Sequence, residues 1–324
     1  MKICVFGAGA IGGFLGARLI RAGLDVTLIA RGVHLDAIRE KGLHMIEEGE
    51  TYTVEGRAVG TPLEAGPQDV VFITLKSHSA VLAAQTMAPM LGPDTVVVTA
   101  MNGIPWWYFY GEKGRFENHR LESVDPGGRQ WNAIGPERVL GCVLYPATEI
   151  VAPGIIRHME GNRFILGEPG GEKSARCKAI AEALTAAGLK APISPRIRDD
   201  IWIKLWGNLA LNPISVLSGL TLEEIVSDDK WRGAARAVML EAREIGEQLG
   251  IRFRIDVDRR IAGSGEIGAH KTSMLQDFEA GREMEIDALV TVIQEIGRLV
   301  DVPSPRIDDM LDKLRAKIEE RRKI

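Results

Sequence analysis

The chain has 324 residues, of which 45% are hydrophobic and 26% charged, with a formal net charge of −4. This length exceeds one ordinary core and predicts two domains. The acidic balance, with no long basic run before Glu319-Glu320-Arg321-Arg322-Lys323, speaks against nucleic acid as a partner. Nor does any apolar run approach the roughly 20 residues of a membrane span. Cys4, Cys142 and Cys177 show neither CxxC nor Cys/His metal spacing, so no metal is expected and a reducing compartment is. Met1-Lys2-Ile3 leads straight into a strand pattern with no leader signature, which points to the cytoplasm.

Lys2–Phe6 reads as the first buried strand, Ile11–Ala22 as an amphipathic helix, and Val26–Ala30, Val70–Leu75 and Thr95–Thr99 as further buried strands. This alternation predicts a parallel sheet with right-handed crossovers. Val139–Leu144, Gly154–His158 and Phe164–Leu166 are expected to extend that sheet with an antiparallel edge, and Ser174–Ala187 to form another helix. Pro192-Ile193-Ser194-Pro195 then interrupts both element types. Beyond it the patterns are helical: Asp200–Leu217, Leu222–Ser227, Trp231–Leu249, Ser273–Glu279, Met284–Val300 and Ile307–Arg321. The expected organisation is a dinucleotide-binding α/β Rossmann-type domain over residues 1–195 and an all-α substrate and catalytic domain over residues 196–324.

Gly7-Ala8-Gly9-Ala10-Ile11-Gly12 joins the first strand to the first helix. Gly7 suits the tight turn, Gly9 a close backbone approach to pyrophosphate, and Gly12 the packing of helix on strand. The free amides of the helix start favour phosphate. The second strand ends Leu28-Ile29-Ala30-Arg31, without the carboxylate that accepts from an NAD ribose. Arg31 instead suits a 2′-phosphate, with Lys76 at the end of a later strand as a second cation, so NADP(H) is the expected cofactor. Asn102-Gly103 follows the Thr95–Thr99 strand at the edge where such sheets face their cofactor, although Asn-Gly is also an ordinary turn.

Asp200–Pro213 is apolar nearly all round, as a buried helix is, apart from Lys204, Asn208 and Asn212. Their spacing of four stacks them on one face. A buried lysine is costly without a polar surrounding, so this stripe is expected to line a polar cavity, where desolvation suits the amine to proton transfer. A lysine snorkelling to the surface beside two satisfied asparagines is the alternative. Pro213 is expected to kink or end the helix. Four residues before Leu289 and seven before Val292, Glu285 is expected to point to the buried side of its helix, with Glu283 and Asp287 solvated; it would equally suit a first-turn glutamate.

Taken in this order, Gly7–Gly12 with Arg31, Lys76, Asn102-Gly103, Lys204-x3-Asn208-x3-Asn212, and Ser273-Met274-Leu275-Gln276-Asp277 followed by Glu285-Ile286-Asp287, the sequence resembles the 2-dehydropantoate 2-reductases (ketopantoate reductases) over nearly its whole length. The resemblance implies NADPH-dependent reduction of 2-dehydropantoate to pantoate, a small 2-oxo acid, on the route to pantothenate and coenzyme A. It implies a fold of 6-phosphogluconate dehydrogenase-like type, with Lys204 as general acid and Glu285 positioning substrate. Asn208, Asn212 and Ser273 would bond substrate, and Asn102 would order the cofactor and substrate. Two departures stand out. Residues Ile104–Ile134 form a longer segment than is usual in the family and hold seven of the chain's eighteen aromatics. An aromatic lid, ordinary packing and a dimer contact are the three expectations for it. His270 stands where a polar amide is expected. The β-hydroxyacid dehydrogenases, with their own Lys-x3-Asn helix, a reductase of a different 2-oxo compound, and a non-catalytic NADP sensor are the rival readings. The long helices of the second domain leave room for a homodimer interface.

Overall fold

Runs such as Ile3-Cys4-Val5-Phe6 and Val70-Val71-Phe72-Ile73 are apolar on both faces, so the strands they form must be covered on both sides. In the computed structural model, which describes residues 1–266 and 268–322, these runs lie at the centre of a parallel sheet. The chain divides into two units: Met1–Arg120 with Asp125–Ile197, and Leu121–Val124 with the residues from Arg198 onward.

In chain order the first unit comprises β1 (Lys2–Phe6), α1 (Ala10–Arg21), β2 (Asp25–Ile29), α2 (Gly32–Lys41), β3 (Leu43–Glu47), β4 (Glu50–Val54), β5 (Arg57–Val59) and α3 (Pro62–Ala65). It continues with β6 (Gln68–Ile73), α4 (Ser77–Ala84), β7 (Leu91–Thr99), α5 (Arg129–Ile134), β8 (Val139–Leu144), β9 (Ala147–Ala152), β10 (Ile155–Glu160), β11 (Phe164–Gly167) and α6 (Ala175–Ala186). Among the described residues the main sheet has seven strands in the order β11-β8-β7-β6-β1-β2-β5. Every pairing is parallel except β11 with β8, the expected antiparallel edge. Strand order reverses at β1, which sends the chain outward through β2 on one side and receives it back as β6 on the other. That switch point is where such sheets bind ligands.

The run around Gly154–His158 does not extend this sheet. It forms β10 of a second, four-stranded sheet, β4-β3-β10-β9, which packs on α1. Phe14 of α1 stacks on His158 with ring centroids 4.4 Å apart, and Gly13 leaves space that the Ile156 side chain fills. Arg18 pairs with the buried Glu47 at 3.0 Å. This sheet covers the outer side of α1, whose inner side already faces β1, and that is why α1 is buried over most of its length.

The start of the aromatic segment is core rather than lid. Trp106, Trp107, Tyr108 and Phe109 are each at most 1% exposed. Trp107 Nε1 donates to Thr99 Oγ1 at 2.8 Å, and its ring fills the space above Gly141. Asp125 holds the start of α5 by accepting from the Gln130 and Trp131 amides at 2.7 and 3.0 Å. Burial on this scale contributes roughly 1.5–3 kcal/mol per large side chain, which a mobile cover would forgo.

The second unit is helical: α7 (Ile197–Ser218), which starts at the last residue of the first unit, α8 (Leu222–Ser227), α9 (Asp229–Gln248), α10 (Val257–Gly265), α11 (Ser273–Glu279), α12 (Val292–Leu299) and α13 (Pro305–Arg322). Its centre is α7, where Trp202, Leu205, Trp206, Leu209 and Ala210 are at most 2% exposed. Trp206 Nε1 donates to the Met239 carbonyl of α9, and Phe253 packs edge-on to Trp202. The helix does not end at Pro213 but runs one turn further to Ser218. Just before the proline, the Asn212 carbonyl accepts from Ser215 Oγ at 2.7 Å. No helix among the described residues is long and apolar enough to cross a membrane.

The first turn of α13 is held by Glu241 of α9, whose carboxylate accepts from the Arg306 amide at 2.8 Å and the Ile307 amide at 3.0 Å. These amides have no intrahelical acceptor. Replacing Glu241 by Ala is expected to cost about 1–2 kcal/mol, the worth of a helix cap, with Gln recovering part of it. A calorimetric melt of the three proteins checks this order.

Candidate active site

Three loops leave the carboxyl ends of adjacent parallel strands: the glycine loop after β1, Thr74–Lys76 after β6, and Ala100–Gly103 after β7. Gly7 takes φ +107°, closed to ordinary side chains, and a Cβ there would stand 2.7 Å from Leu75 Cδ2. At Gly12 a Cβ would overlap both the Gly7 carbonyl oxygen and Thr74 Oγ1. The helix therefore starts against the strand only because this position is bare. Thr74, which sequence reasoning missed, donates from Oγ1 to Gly7 O at 2.8 Å. Gly9 O accepts from Gly13 N at 2.7 Å, the first bond of the helix, so the amides of Ala10, Ile11 and Gly12 precede any intrahelical acceptor. Gly9 caps α1 with no side chain, and the first turn carries no acid to compete with an anion. A dinucleotide pyrophosphate fits this cradle.

Past β2 the chain reads Ala30, buried, then Arg31, exposed as the N-cap of α2. No carboxylate occupies the ribose position. Lys76 is not at a strand end: β6 stops at Ile73, and Lys76, half-buried, is the N-cap of α4. Asn102 is half-buried, three residues beyond β7, and Gly103 beside it takes φ +86°. The first unit thus gathers Gly7, Ala8, Gly9, Ala10, Ile11, Gly12, Lys76 and Asn102 along one edge of its sheet, with Arg31 following the neighbouring β2.

In the second unit, Lys204 and Asn208 are half-buried and Asn212 is 6% exposed, one above another along α7. The flanking Trp202, Leu205 and Trp206 are dry, so this face is the polar exception on a core helix. Gly207, one turn from Lys204, has no side chain, and the Arg260 guanidinium of α10 occupies the space a Cβ would take. Ser264 Oγ accepts from Arg260 Nη1 at 2.7 Å. Arg260 thus brings a second cation to the helix that carries Lys204. The only sequence signal for it was a glycine inside a helix, which costs about 1 kcal/mol unless something needs the space.

Ser273 is exposed at the first position of α11, and Thr272 caps that helix from a buried site. Thr272 Oγ1 and Ser215 Oγ are hydrogen-bonded, and Ser215 donates its one proton to Asn212 O. Thr272 must therefore be the donor to Ser215, while it accepts from the Leu275 amide at 3.1 Å. This one-way chain ties the helix bearing Ser273 to the carbonyl of Asn212.

Glu285 does not lie on a first helical turn. It is half-buried in the irregular stretch before a π-helical turn, Asp287–Thr291, which passes into α12. A π turn carries an extra residue, so a 3.6-residue wheel does not carry across it. Glu283 and Asp287 are exposed, as expected. The approach to Glu285 is fixed by Asp277, 7% exposed, which accepts from Arg282 Nε at 2.9 Å and whose carbonyl accepts from the Arg282 amide at 2.8 Å. His270 is half-buried and its carbonyl accepts from Leu222 N at 3.0 Å.

The chain is similar to known proteins over nearly its whole length. Residues 3–171 match the model of the family described as ketopantoate reductase PanE/ApbA, and residues 196–318 match the model of its C-terminal part. A 2-dehydropantoate 2-reductase of Mesorhizobium japonicum is 56% identical over 99% of both chains. The solved 2-dehydropantoate 2-reductase of Geobacter metallireducens superposes with TM-score 0.85 at 25% identity, covering 98% of this chain and 99% of that one. D-mandelate dehydrogenase, solved with NADH and anilino(oxo)acetate, shares the fold at TM-score 0.84 and 23% identity, with 99% of each chain covered.

Replacing Gly12 by Ala is expected to push the glycine loop off β1. A dinucleotide titration should show binding weakened tenfold or more, the size of a typical overpacking penalty. Circular dichroism should show the fold retained.

Proposed function

We infer the reaction from the premise that this chain belongs to the ketopantoate reductase family: it is an NADP-dependent oxidoreductase that reduces 2-dehydropantoate to pantoate. The observation that carries the chemistry is the polar stripe headed by Lys204 on the otherwise apolar α7.

When bound, the cofactor supplies hydride from its nicotinamide to the ketone carbon of the substrate. Negative charge then grows on the ketone oxygen. In our assignment the Lys204 ammonium faces that oxygen, stabilises the charge and transfers its proton, giving the alcohol. Lys204 is half-buried on α7, and an ammonium partly withdrawn from water interacts more strongly with a developing oxyanion. Asn208 and Asn212 hydrogen-bond the substrate and hold it in register, as does Ser273. Glu285 positions the substrate opposite the amine. On the first unit, the α1 amides take the pyrophosphate, Arg31 and Lys76 the 2′-phosphate, and Asn102 orders the nicotinamide end.

The deciding experiment follows NADPH oxidation by absorbance with 2-dehydropantoate and a panel of other 2-oxo acids. We expect 2-dehydropantoate to be preferred. Preference for another 2-oxo acid would overturn the substrate assignment, and no turnover on any of them would overturn the reading as a reductase. Lys204→Ala should lower kcat by about 10²–10⁴, the usual contribution of a positioned acid, with NADPH affinity unchanged. Arg31→Ala should weaken NADPH binding by about tenfold or more and leave NADH binding alone, because a charge-assisted hydrogen bond contributes about 1.5–3 kcal/mol. Equal losses for the two dinucleotides would remove Arg31 from the 2′-phosphate.

A further inference from the structure

His34 lies in the first turn of α2, three residues after Arg31, and its two ring nitrogens hold two different parts of the chain. Nδ1 is 3.0 Å from the Gly154 amide, and Nε2 is 2.8 Å from the Ala8 carbonyl. A backbone amide only donates, so Nδ1 is the unprotonated nitrogen and Nε2–H donates to Ala8 O. The ring is thereby confined to one neutral tautomer.

Both anchors are themselves fixed. The peptide joining Ala8 to Gly9 is held at its carbonyl by His34 and at its amide by Gly7 O, 2.7 Å away. Gly154 forms the tight turn between β9 and β10 at φ +76°, and its carbonyl accepts from His44 N at 2.9 Å. A Cβ at Gly154 would come within 3.0 Å of Ala37 Cβ, so the turn sits directly on α2. Along the glycine loop, Gly7 O is taken by Thr74 and Gly9 N, and Gly9 O by Gly13 N. His34 supplies the remaining carbonyl with a donor, and it does so from the helix that carries Arg31.

We propose that His34 is a positioning residue for the cofactor: it sets the glycine loop in register with the N-terminus of α2, so that the pyrophosphate amides and Arg31 engage one dinucleotide together. It touches neither phosphate itself. Because NADH has nothing for Arg31 to grip, the register matters more for NADPH, and His34 sharpens the choice between the two. This rests on the assignment of Arg31 to the 2′-phosphate.

The test separates the two ring nitrogens. Glutamine places an N–H near the position of Nε2 and keeps the bond to Ala8. Asparagine places an oxygen near the position of Nδ1 and keeps only the bond to Gly154. Alanine keeps neither. Dissociation constants for NADPH and NADH are measured by fluorescence titration for the full chain and its His34→Ala, His34→Asn and His34→Gln variants, beside Arg31→Ala, with a thermal melt of each. We expect His34→Ala and His34→Asn to weaken NADPH about three- to tenfold, the worth of one neutral hydrogen bond. NADH should weaken less, His34→Gln should recover most of the loss, and kcat and the KM for the 2-oxo acid at saturating NADPH should stay within about twofold. NADPH affinity unchanged in all three variants overturns the proposal. So does rescue by Asn in place of Gln, or an equal loss for the two dinucleotides that follows the fall in melting temperature. An Arg31→Ala protein that binds NADPH normally overturns the assignment on which the proposal rests, and is read separately from the His34 series. As a spectroscopic check, ¹⁵N shifts of the His34 ring should report a proton on Nε2 alone.

Discussion

The first unit depends on how closely a helix can approach the strand it follows. At Gly12 the carbonyl of Gly7 and the hydroxyl of Thr74 occupy the volume a Cβ would need. Remove that allowance and α1 must move away from β1, and the amides at its start lose their place at the sheet edge. The second sheet needs the same closeness from the other side, since Ile156 fills the space left bare at Gly13. Two adjacent glycines thus let one helix be gripped by two sheets. Their unfavourable helix propensity is offset by this packing.

The second unit answers a different constraint, that of keeping polar groups inside an apolar helix. Lys204, Asn208 and Asn212 share one face of α7 while tryptophans fill the others, so each polar group on that face needs a polar partner or water. The hydroxyl chain from Thr272 through Ser215 to the Asn212 carbonyl provides for the backbone there. A helix with such a stripe has little freedom to rotate, because any rotation would bury the amine against carbon. Its rigidity is of the kind the proposed proton donor needs.

How much of this was legible in the sequence depended on whether the cause was local. Gly7–Gly12 could be read because turn, close approach and helix start fall within six residues. The stripe on α7 could be read because its period matches an ordinary helix. Glu285 is half-buried but lies before the helix rather than on it, and nothing in Asp287–Thr291 announces the π turn that follows. Lys76 was put on a strand that stops three residues earlier, since Thr74 and Leu75 look like strand residues but serve as the wall of the glycine loop. Pro213 reads as a kink or an end, and the helix passes through it to Ser218. Arg260 was missed because its place is set by a gap on another helix. The aromatic run leaves lid, packing and dimer contact open in the sequence because aromatics serve in all three; burial distinguishes them.

The second sheet was invisible for a related reason. Its strands are short and mix charge with apolar residues, as in Glu50–Val54 and Ile155–Glu160, and its central pair joins His44 to Ile155. Those partners stand about 110 residues apart, and loop closure over such a span makes contacts slow to form. β1, α1 and β2 are neighbours in sequence and have no such delay. On the ribosome the segment carrying the glycine loop emerges long before β10 and the turn at Gly154. The glycine loop is therefore braced from the far side of the unit, by strands synthesised after most of the main sheet. A nascent chain truncated before residue 154 would hold the sequence fingerprint of a dinucleotide site without the turn that braces it.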